Sequence, residues 1–213
     1  MIRLWTKASE YIVLGSNVKI GEYSLLGVIP KIEKITPLII GDNSKIRSHS
    51  VIYTNTIIGK NFQTGHGVLI RENNKIGDSV SLGTHSVIER DVSIGNNVRM
   101  HSNVFIPELT IIEDYAWIGP NVVITNAYHP LCEKVKKCMK GPTIKKHAII
   151  GANTTILPYI TIGENTFIGA GSLVTKDVPD GMVATGHPAK IMKKRSELLC
   201  KTDMKSKGPY IGE

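Results

Sequence analysis

The sequence predicts an all-β chain wound as a parallel β-helix, and three observations carry that expectation. The first is a period of six residues. Steps of six from Ile40 land on Ile46, Ile52, Ile58, Thr64, Ile70, Ile76, Leu82, Ile88, Ile94, Met100, Ile106, Ile112, Ile118 and Ile124, and the step resumes at Ile150 through Ile156, Ile162, Ile168 and Val174. The second is that the residue after the aliphatic one (position i+1) is often glycine, as at Gly41, Gly59, Gly77 and Gly95. The third is that position i+4 is small or β-branched, as at Ser44, Thr56, Val80 and Val98. A 3.6-residue helix cannot hold such a period on one face, and frequent glycine opposes it further. Short strands joined by tight corners suit it, with glycine supplying corner backbone. Three hexads then make one triangular turn, and stacked turns bury a continuous aliphatic column.

Taken in order, the chain opens with a shorter register at Leu14, Ile20 and Leu26, and an insertion from Gly27 to Leu38 containing Pro30 and Pro37 interrupts it. Division by eighteen gives three faces. The first begins at Ile40, Ile58, Ile76, Ile94 and Ile112 and continues at Ile150 and Ile168; the second begins at Ile46 and continues after the interruption at Ile156; the third begins at Ile52 and continues at Ile162. The main interruption, 126–147, carries Pro130, Gly141 and Pro142 and reads as a loop. A long excursion from a regular solenoid is commonly functional or disordered. Residues 191–203 read as a short basic helix. The expected organisation is a β-helix domain over 1–190 with the inserted loop, then a C-terminal helix and tail over 191–213.

The 213 residues suffice to bury a core, and with 41% hydrophobic residues disorder is not expected. The net charge of +8 favours an acidic partner: nucleic acid, a membrane surface or a phosphorylated small molecule. Three cysteines, Cys132, Cys138 and Cys200, do not make a disulfide framework. No apolar run approaches the length of a membrane span, so a cytoplasmic protein is expected. Of the three acidic partners the small molecule is the expected one, with no membrane and no nucleic acid.

The pattern [LIV]-G-x-x-[STAV]-x, covering about residues 12–178, resembles the hexapeptide-repeat acyltransferases. Ile168-Gly-Ala-Gly-Ser-Leu-Val-Thr-Lys-Asp-Val-Pro179, followed by Gly186-His-Pro-Ala-Lys190, is similar to the C-terminal signature of sugar acetyltransferases. Gly65-His-Gly-Val-Leu-Ile-Arg-Glu-Asn73 resembles the nucleotide-sugar N-acetyltransferase subgroup. The resemblance implies a left-handed helix and a homotrimer. It also implies acetyl transfer from acetyl-CoA to the amino group of a nucleotide-linked amino-deoxysugar, for surface polysaccharide or glycan biosynthesis. The loop is implied to reach a neighbouring subunit and border the acetyl-CoA site.

For the donor, Gly151, Ala152, Gly169, Ala170 and Ser172 are small enough for the CoA arm to approach the coil, and Lys176 and Lys190 offer charge for its phosphates. For the acceptor, the attacking amine must lose a proton, which a histidine or carboxylate can take. His49, His66, His85 and His101 all fall in hexads of the second face, at outward positions. Of these, His66 and His85, with Glu72, are the candidate catalytic residues. Arg71, Asn73, Glu89, Asn103 and His129 are the candidate substrate contacts. Thr64 and Asn74, polar at inward positions near His66, mark the same region by breaking the pattern. An O-acetyltransferase acting on a sugar hydroxyl is the alternative, since the loop pair His129-Pro130 looks like the base of sugar O-acetyltransferases, although the following Leu131–Cys138 departs from that family. His129, Cys132 and Cys138 form an incomplete metal set, and no metal is expected.

Overall fold

A computed structural model describes residues 9–199. Successive strands fall into three parallel sheets in rotation. Sheet A runs from Ile12–Leu14 through Leu38–Ile40 and Ile57–Ile58 to Thr161–Ile162. Sheet B runs from Lys19–Ile20 through Lys45–Ile46 and Gln63–Thr64 to Phe167–Ile168, and sheet C from Leu25–Val28 through Val51–Tyr53 and Leu69–Ile70 to Leu173–Val174. Most strands pair with the one eighteen residues on, as Ile58 with Ile76 and Ile76 with Ile94. The chain is a left-handed parallel β-helix of triangular section. Its corners define three edges running along the axis, A/B, B/C and C/A.

The six-residue phase sets what is buried. Ile40, Ile46, Ile52 and Ile58 are each at most 1% exposed, and one continuous core extends from Leu26 to Ala184. Each such side chain contributes about 1.5–3 kcal/mol of burial. At i+4, the hydroxyls of Ser44, Ser50 and Ser172 donate to the carbonyls of Gly41, Arg47 and Gly169 at 2.7, 2.8 and 2.6 Å. The two polar intruders are satisfied in the same way. Thr64 Oγ1 accepts the Arg47 N–H at 2.9 Å, while Asn74 donates to the Arg71 carbonyl at 2.8 Å and accepts the Val92 N–H at 2.8 Å. Both therefore hold backbone rather than marking a ligand site.

Two features of the corners differ from expectation. The i+1 glycines, apart from Gly27 on the C/A edge, lie on the A/B and B/C edges, and they have ordinary backbone angles. They are required because the next coil is too close: a Cβ at Gly41 would stand 2.6 Å from the Gly59 carbonyl carbon. On the C/A edge the i+1 places hold Tyr53, Arg71, Glu89, Pro107, Thr125, Leu157 and Thr175, so that corner has room for full side chains. The left-handed backbone conformation belongs instead to position i+3, at Asn43, His49, Asn61, Gly67, Asn73, His85 and Asn103, among others. Asparagine tolerates that region best after glycine, which accounts for its recurrence every six residues.

The phase beyond the loop also needs correction. The excursion ends at Pro142, and Thr143–Ile144 re-enters sheet A beside Ile111–Ile112. Ile150 therefore pairs with Ile118 in sheet B, Ile156 with Ile124 in sheet C and Ile162 with Ile144 in sheet A. Each lies one face on from the assignment by division. At the C-terminus, the expected helix is replaced by a strand. Ala189–Lys194 pairs antiparallel with Met182–Gly186 and extends sheet B, followed by a single 3₁₀ turn at Arg195–Glu197. The rest of the expected helix and tail, residues 200–213, lies outside the described residues. No helix among the described residues is long and apolar enough to cross a membrane.

Candidate functional site

The B/C edge gathers the histidines. His49, His66 and His85 stand on three successive coils, all exposed. Ser48 Oγ lies 2.8 Å from His66 Nδ1 and 3.1 Å from His49 Nδ1. One hydroxyl has one proton, so it donates to one ring and accepts from the other. Whichever ring donates through Nδ1 keeps a lone pair on Nε2. The His49 ring stacks on Tyr23, with centroids 5.2 Å apart. The His85 ring lies over Gly67, where a Cβ would come within 2.6 Å of its Cδ2. Gly67 thus makes room for that ring as well as taking a φ of +63°.

His101 continues the series one coil beyond His85. It occupies an i+1 place between Gly83 and Gly119, the one sign in the sequence that it is unusual. Its ring stands 4.8 Å from Trp117, and its Nε2 is enclosed without a hydrogen-bond partner. Burial, and then the charge of Arg99, lower its pKa and keep it neutral.

The corrected phase brings the donor candidates to this same edge. Gly151, Ala152, Gly169 and Ala170 follow sheet B strands and so stand further along the edge that carries His66 and His85. Ala170 is exposed, and a Cβ at Gly171 would meet nothing within 4 Å, so the coil surface is open there. Lys190 pairs with Thr185, which lies directly over Gly169 and closes the end of the edge. Ser172 is only 2% exposed, and its hydroxyl is engaged with the Gly169 carbonyl and the Gly186 N–H, so it supports the wall from inside. Lys176 stands on the C/A edge instead.

The remaining candidates divide in the same way. Asn103 is on the B/C edge, one coil beyond His85, in the left-handed corner position. Arg71, Glu72, Asn73 and Glu89 are on the C/A edge, so Glu72 does not share a site with His66 and His85 within one chain. Glu72 is 2% exposed, and its two oxygens accept from Arg71 at 2.9 and 3.0 Å. Burial opposes its ionisation, but the Arg71 hydrogen bond, a backbone hydrogen bond and the charges of Arg71 and Arg90 outweigh burial and hold its pKa low. Arg71 also meets Glu89 at 3.4 Å, and Arg90 meets Glu108 at 2.8 Å and Asp91 at 3.4 Å. This is a closed ladder of paired charges. A carboxylate held ionised by a bidentate partner is a poor proton acceptor, and its hydrogen-bonding capacity is already used.

The loop leaves at the C/A edge. His129 is exposed and lines a cavity of about 380 Å³ with Ala127, Tyr128, Cys132, Val135, Cys138 and Tyr159. Cys132 and Cys138 are free thiols. Among the described residues no group of three or more His, Cys, Asp or Glu side chains is arranged to hold a metal ion.

Comparison with known proteins bears on this arrangement. Residues 141–176 match the Bacterial transferase hexapeptide (six repeats) family. The chain is 40% identical over 92 residues to a galactoside O-acetyltransferase of Lactococcus lactis, covering 41% of this chain and 44% of that protein. A galactoside O-acetyltransferase of Escherichia coli is 40% identical over 80 residues, covering 36% and 39%. A tetrahydropyridine-dicarboxylate N-acetyltransferase of Staphylococcus aureus is 44% identical over 55 residues, covering 26% and 23%. The chain thus spans less than half the length of these curated relatives. In fold it is similar to a UDP-N-acetylglucosamine acyltransferase from Bacteroides fragilis (20% identity, 85% of this chain and 70% of that one, TM-score 0.54).

Proposed function

We propose that the protein transfers an acetyl group from acetyl-CoA to the amino group of a nucleotide-linked amino-deoxysugar, and that transfer takes place along the B/C edge. One observation carries this reading: a single edge presents exposed imidazoles on the coils of His49, His66 and His85 and an open, small-residue surface on the coils of Ala152 and Ala170. His101, Pro120 and their coils separate the two groups, at a rise of about 4.8 Å per coil. The extended arm of acetyl-CoA can lie along such an edge, with its phosphates toward Lys190 and its thioester toward the histidines.

The chemistry follows from the residues. As the acceptor nitrogen attacks the thioester carbonyl, it must shed a proton. In the tautomer whose Nδ1 proton is directed to Ser48, His66 presents a free Nε2 for that purpose, and His85 stands on the next coil to bind the sugar or relay the proton. The bond from carbonyl carbon to sulfur then breaks, and the thiolate leaves with a proton returned by the imidazolium. The relatives named as O- and N-acetyltransferases support an acetyl-CoA co-substrate.

We read the active unit as a homotrimer. The outward residues of sheet C form an apolar stripe through Leu25, Val51, Leu69, Val87, Phe105 and Val123, broken at Thr155 and resumed at Leu173. Packing through that stripe would cover it and set the B/C edge of one subunit beside the loop of another. A second reading, O-acetylation of a sugar hydroxyl with His129 as base, draws support from the galactoside O-acetyltransferase relatives and from the cavity beside His129. Thiol release measured against a panel of amino-sugar nucleotides and plain sugars tests both. Turnover of the amino-sugar nucleotides that falls in His66→Ala and His85→Ala supports the first reading. Turnover restricted to hydroxyl acceptors and lost in His129→Ala overturns it in favour of the second.

A further inference from the structure

The N-terminal end of the B/C edge carries groups that the acetyl transfer does not use. Tyr23 is 77% exposed and stacks on His49 at 5.2 Å with 30° between the rings. Beside them, on the outer face of sheet B, Lys19 and Lys45 are direct cross-strand neighbours, and Arg47 follows one outward place after Lys45. Like charges set opposite each other across a sheet repel, so this pairing costs stability. All three cations are exposed, and none makes an ion pair among the described residues. Glu22, on the coil of Tyr23, is the one acidic side chain of the corner itself, which leaves the patch net positive. By contrast, Arg71 and Arg90 of the C/A edge are each paired with two carboxylates.

An exposed aromatic platform beside unpaired cations is the combination that stacks a base and holds phosphate. We infer that Tyr23 and His49 stack the base, and Lys45 and Arg47 hold the diphosphate, of a nucleoside diphosphate bound at this end of the edge. Tyr23 stands two coils from His66, about 10 Å at 4.8 Å per coil. A nucleotide seated there directs the group attached to its second phosphate along the edge toward His66 and His85. This rests on the acceptor half of the proposed function and adds what recognises the acceptor's carrier. It also assigns a purpose to the repulsive Lys19–Lys45 pairing, which a bound diphosphate would neutralise.

The same chemistry exists in CoA itself, whose far end is an adenosine diphosphate, so the test separates the two sources. Titration calorimetry would measure UDP, dTDP, GDP and ADP binding to the full chain, with and without saturating CoA, at two salt concentrations. The expected result is saturable binding of at least one nucleoside diphosphate that persists with CoA bound and weakens with salt. Tyr23→Ala and the double variant Lys45→Ala/Arg47→Ala should each raise its Kd about tenfold or more, with the Kd for CoA unchanged. A nucleotide that CoA displaces, or CoA binding that weakens in parallel in these variants, would overturn the inference, because the patch would then serve the donor. So would nucleotide affinity unchanged in both variants while their melting temperatures match the parent. If no nucleoside diphosphate binds on its own but amino-sugar nucleotides still release thiol, this inference falls and the acetyl-transfer reading stands. If nucleotides bind as described but no acceptor releases thiol, the subsite stands and that reading falls.

Discussion

Two edges of the same prism, built from the same six-residue repeat, have been put to opposite uses. On the B/C edge the backbone is drawn tight: glycine fills most i+1 places because the next coil leaves no room for a Cβ. The side chains it presents include the exposed imidazoles of His49, His66 and His85 and, at its N-terminal end, Arg47 without a counter-charge. On the C/A edge the i+1 places carry full side chains. Arg71 is paired with Glu72 and Glu89 along it, and Arg90 with Asp91 and Glu108, so both cations are fully engaged and the ladder is net acidic; both insertions leave from the same edge. The difference teaches that charge by itself does not mark function on a solenoid. Charges paired up the coils fasten the coils together, and groups left with spare hydrogen-bonding capacity are the ones available to a ligand.

The sharpest way to break this comparison is to remove one imidazole from the open edge. His66→Ala and His85→Ala should each lower acetyl transfer by about 10²- to 10⁴-fold if the ring takes the proton, with melting temperatures close to the parent, as read by thiol release and calorimetry. Near-normal turnover in both would transfer the chemistry to His129 and the other edge.

On the closed edge the large effect should be on stability. Arg71→Ala leaves the Glu72 carboxylate buried without its bidentate partner. Arg71 is itself partly exposed, so the loss should be about 2 kcal/mol in chemical denaturation rather than the full cost of an isolated buried charge. Because the folded-state pKa of Glu72 is lowered, its contribution is present above its ordinary value of 4.5 and is lost as pH falls through the lowered one. The stability difference between parent and Arg71→Ala should therefore shrink in acid.

A finer comparison uses two glycines in the same corner position of one edge. Gly67→Ala and Gly171→Ala both place a side chain at positive φ, which costs about 1–2 kcal/mol, but only the first drives a Cβ into the His85 ring. Gly67→Ala should lose activity beyond its loss of stability, and Gly171→Ala should retain turnover. The smallest effect concerns His101. Its lowered pKa means the unfolded chain takes up a proton first as pH falls below 6.5, so stability declines there, by at most about 1.4 kcal/mol per pH unit. Melts at pH 7.5 and 5.5 should show a smaller drop for His101→Gln than for the parent.

Much of this arrangement was legible in the sequence, and the misses have physical causes. The hexads gave the buried column directly, because inward positions cannot hide a polar side chain without a partner. The outward clustering of four histidines followed from the same phase. The assignment beyond the loop failed because Lys145 and His147 stand where glycine and asparagine recur elsewhere, masking Ile144 as the first hexad after the excursion. That one slip had placed the donor residues on a different corner from the histidines. The C-terminal strand was missed because Lys190, Lys193 and Lys194 read as a solvated helix face. Strand pairing depends on residues 182–186, a contact that composition does not announce, although Gly186 and Pro188 between the two segments were the available turn signal. The role of the glycines was misjudged because crowding between coils, unlike a backbone angle, is a property of the stack. The pairing of Glu72 with Arg71 was not legible, because adjacency in sequence does not announce that the guanidinium turns back on its neighbour.

The central claim is that donor and acceptor meet along the B/C edge, and a bulky side chain at the exposed Ala170 tests it most directly. The account predicts that Ala170→Trp raises the Kd for CoA at least about tenfold in calorimetry while the melting temperature stays within a few degrees of the parent. CoA binding unchanged in that variant would contradict it.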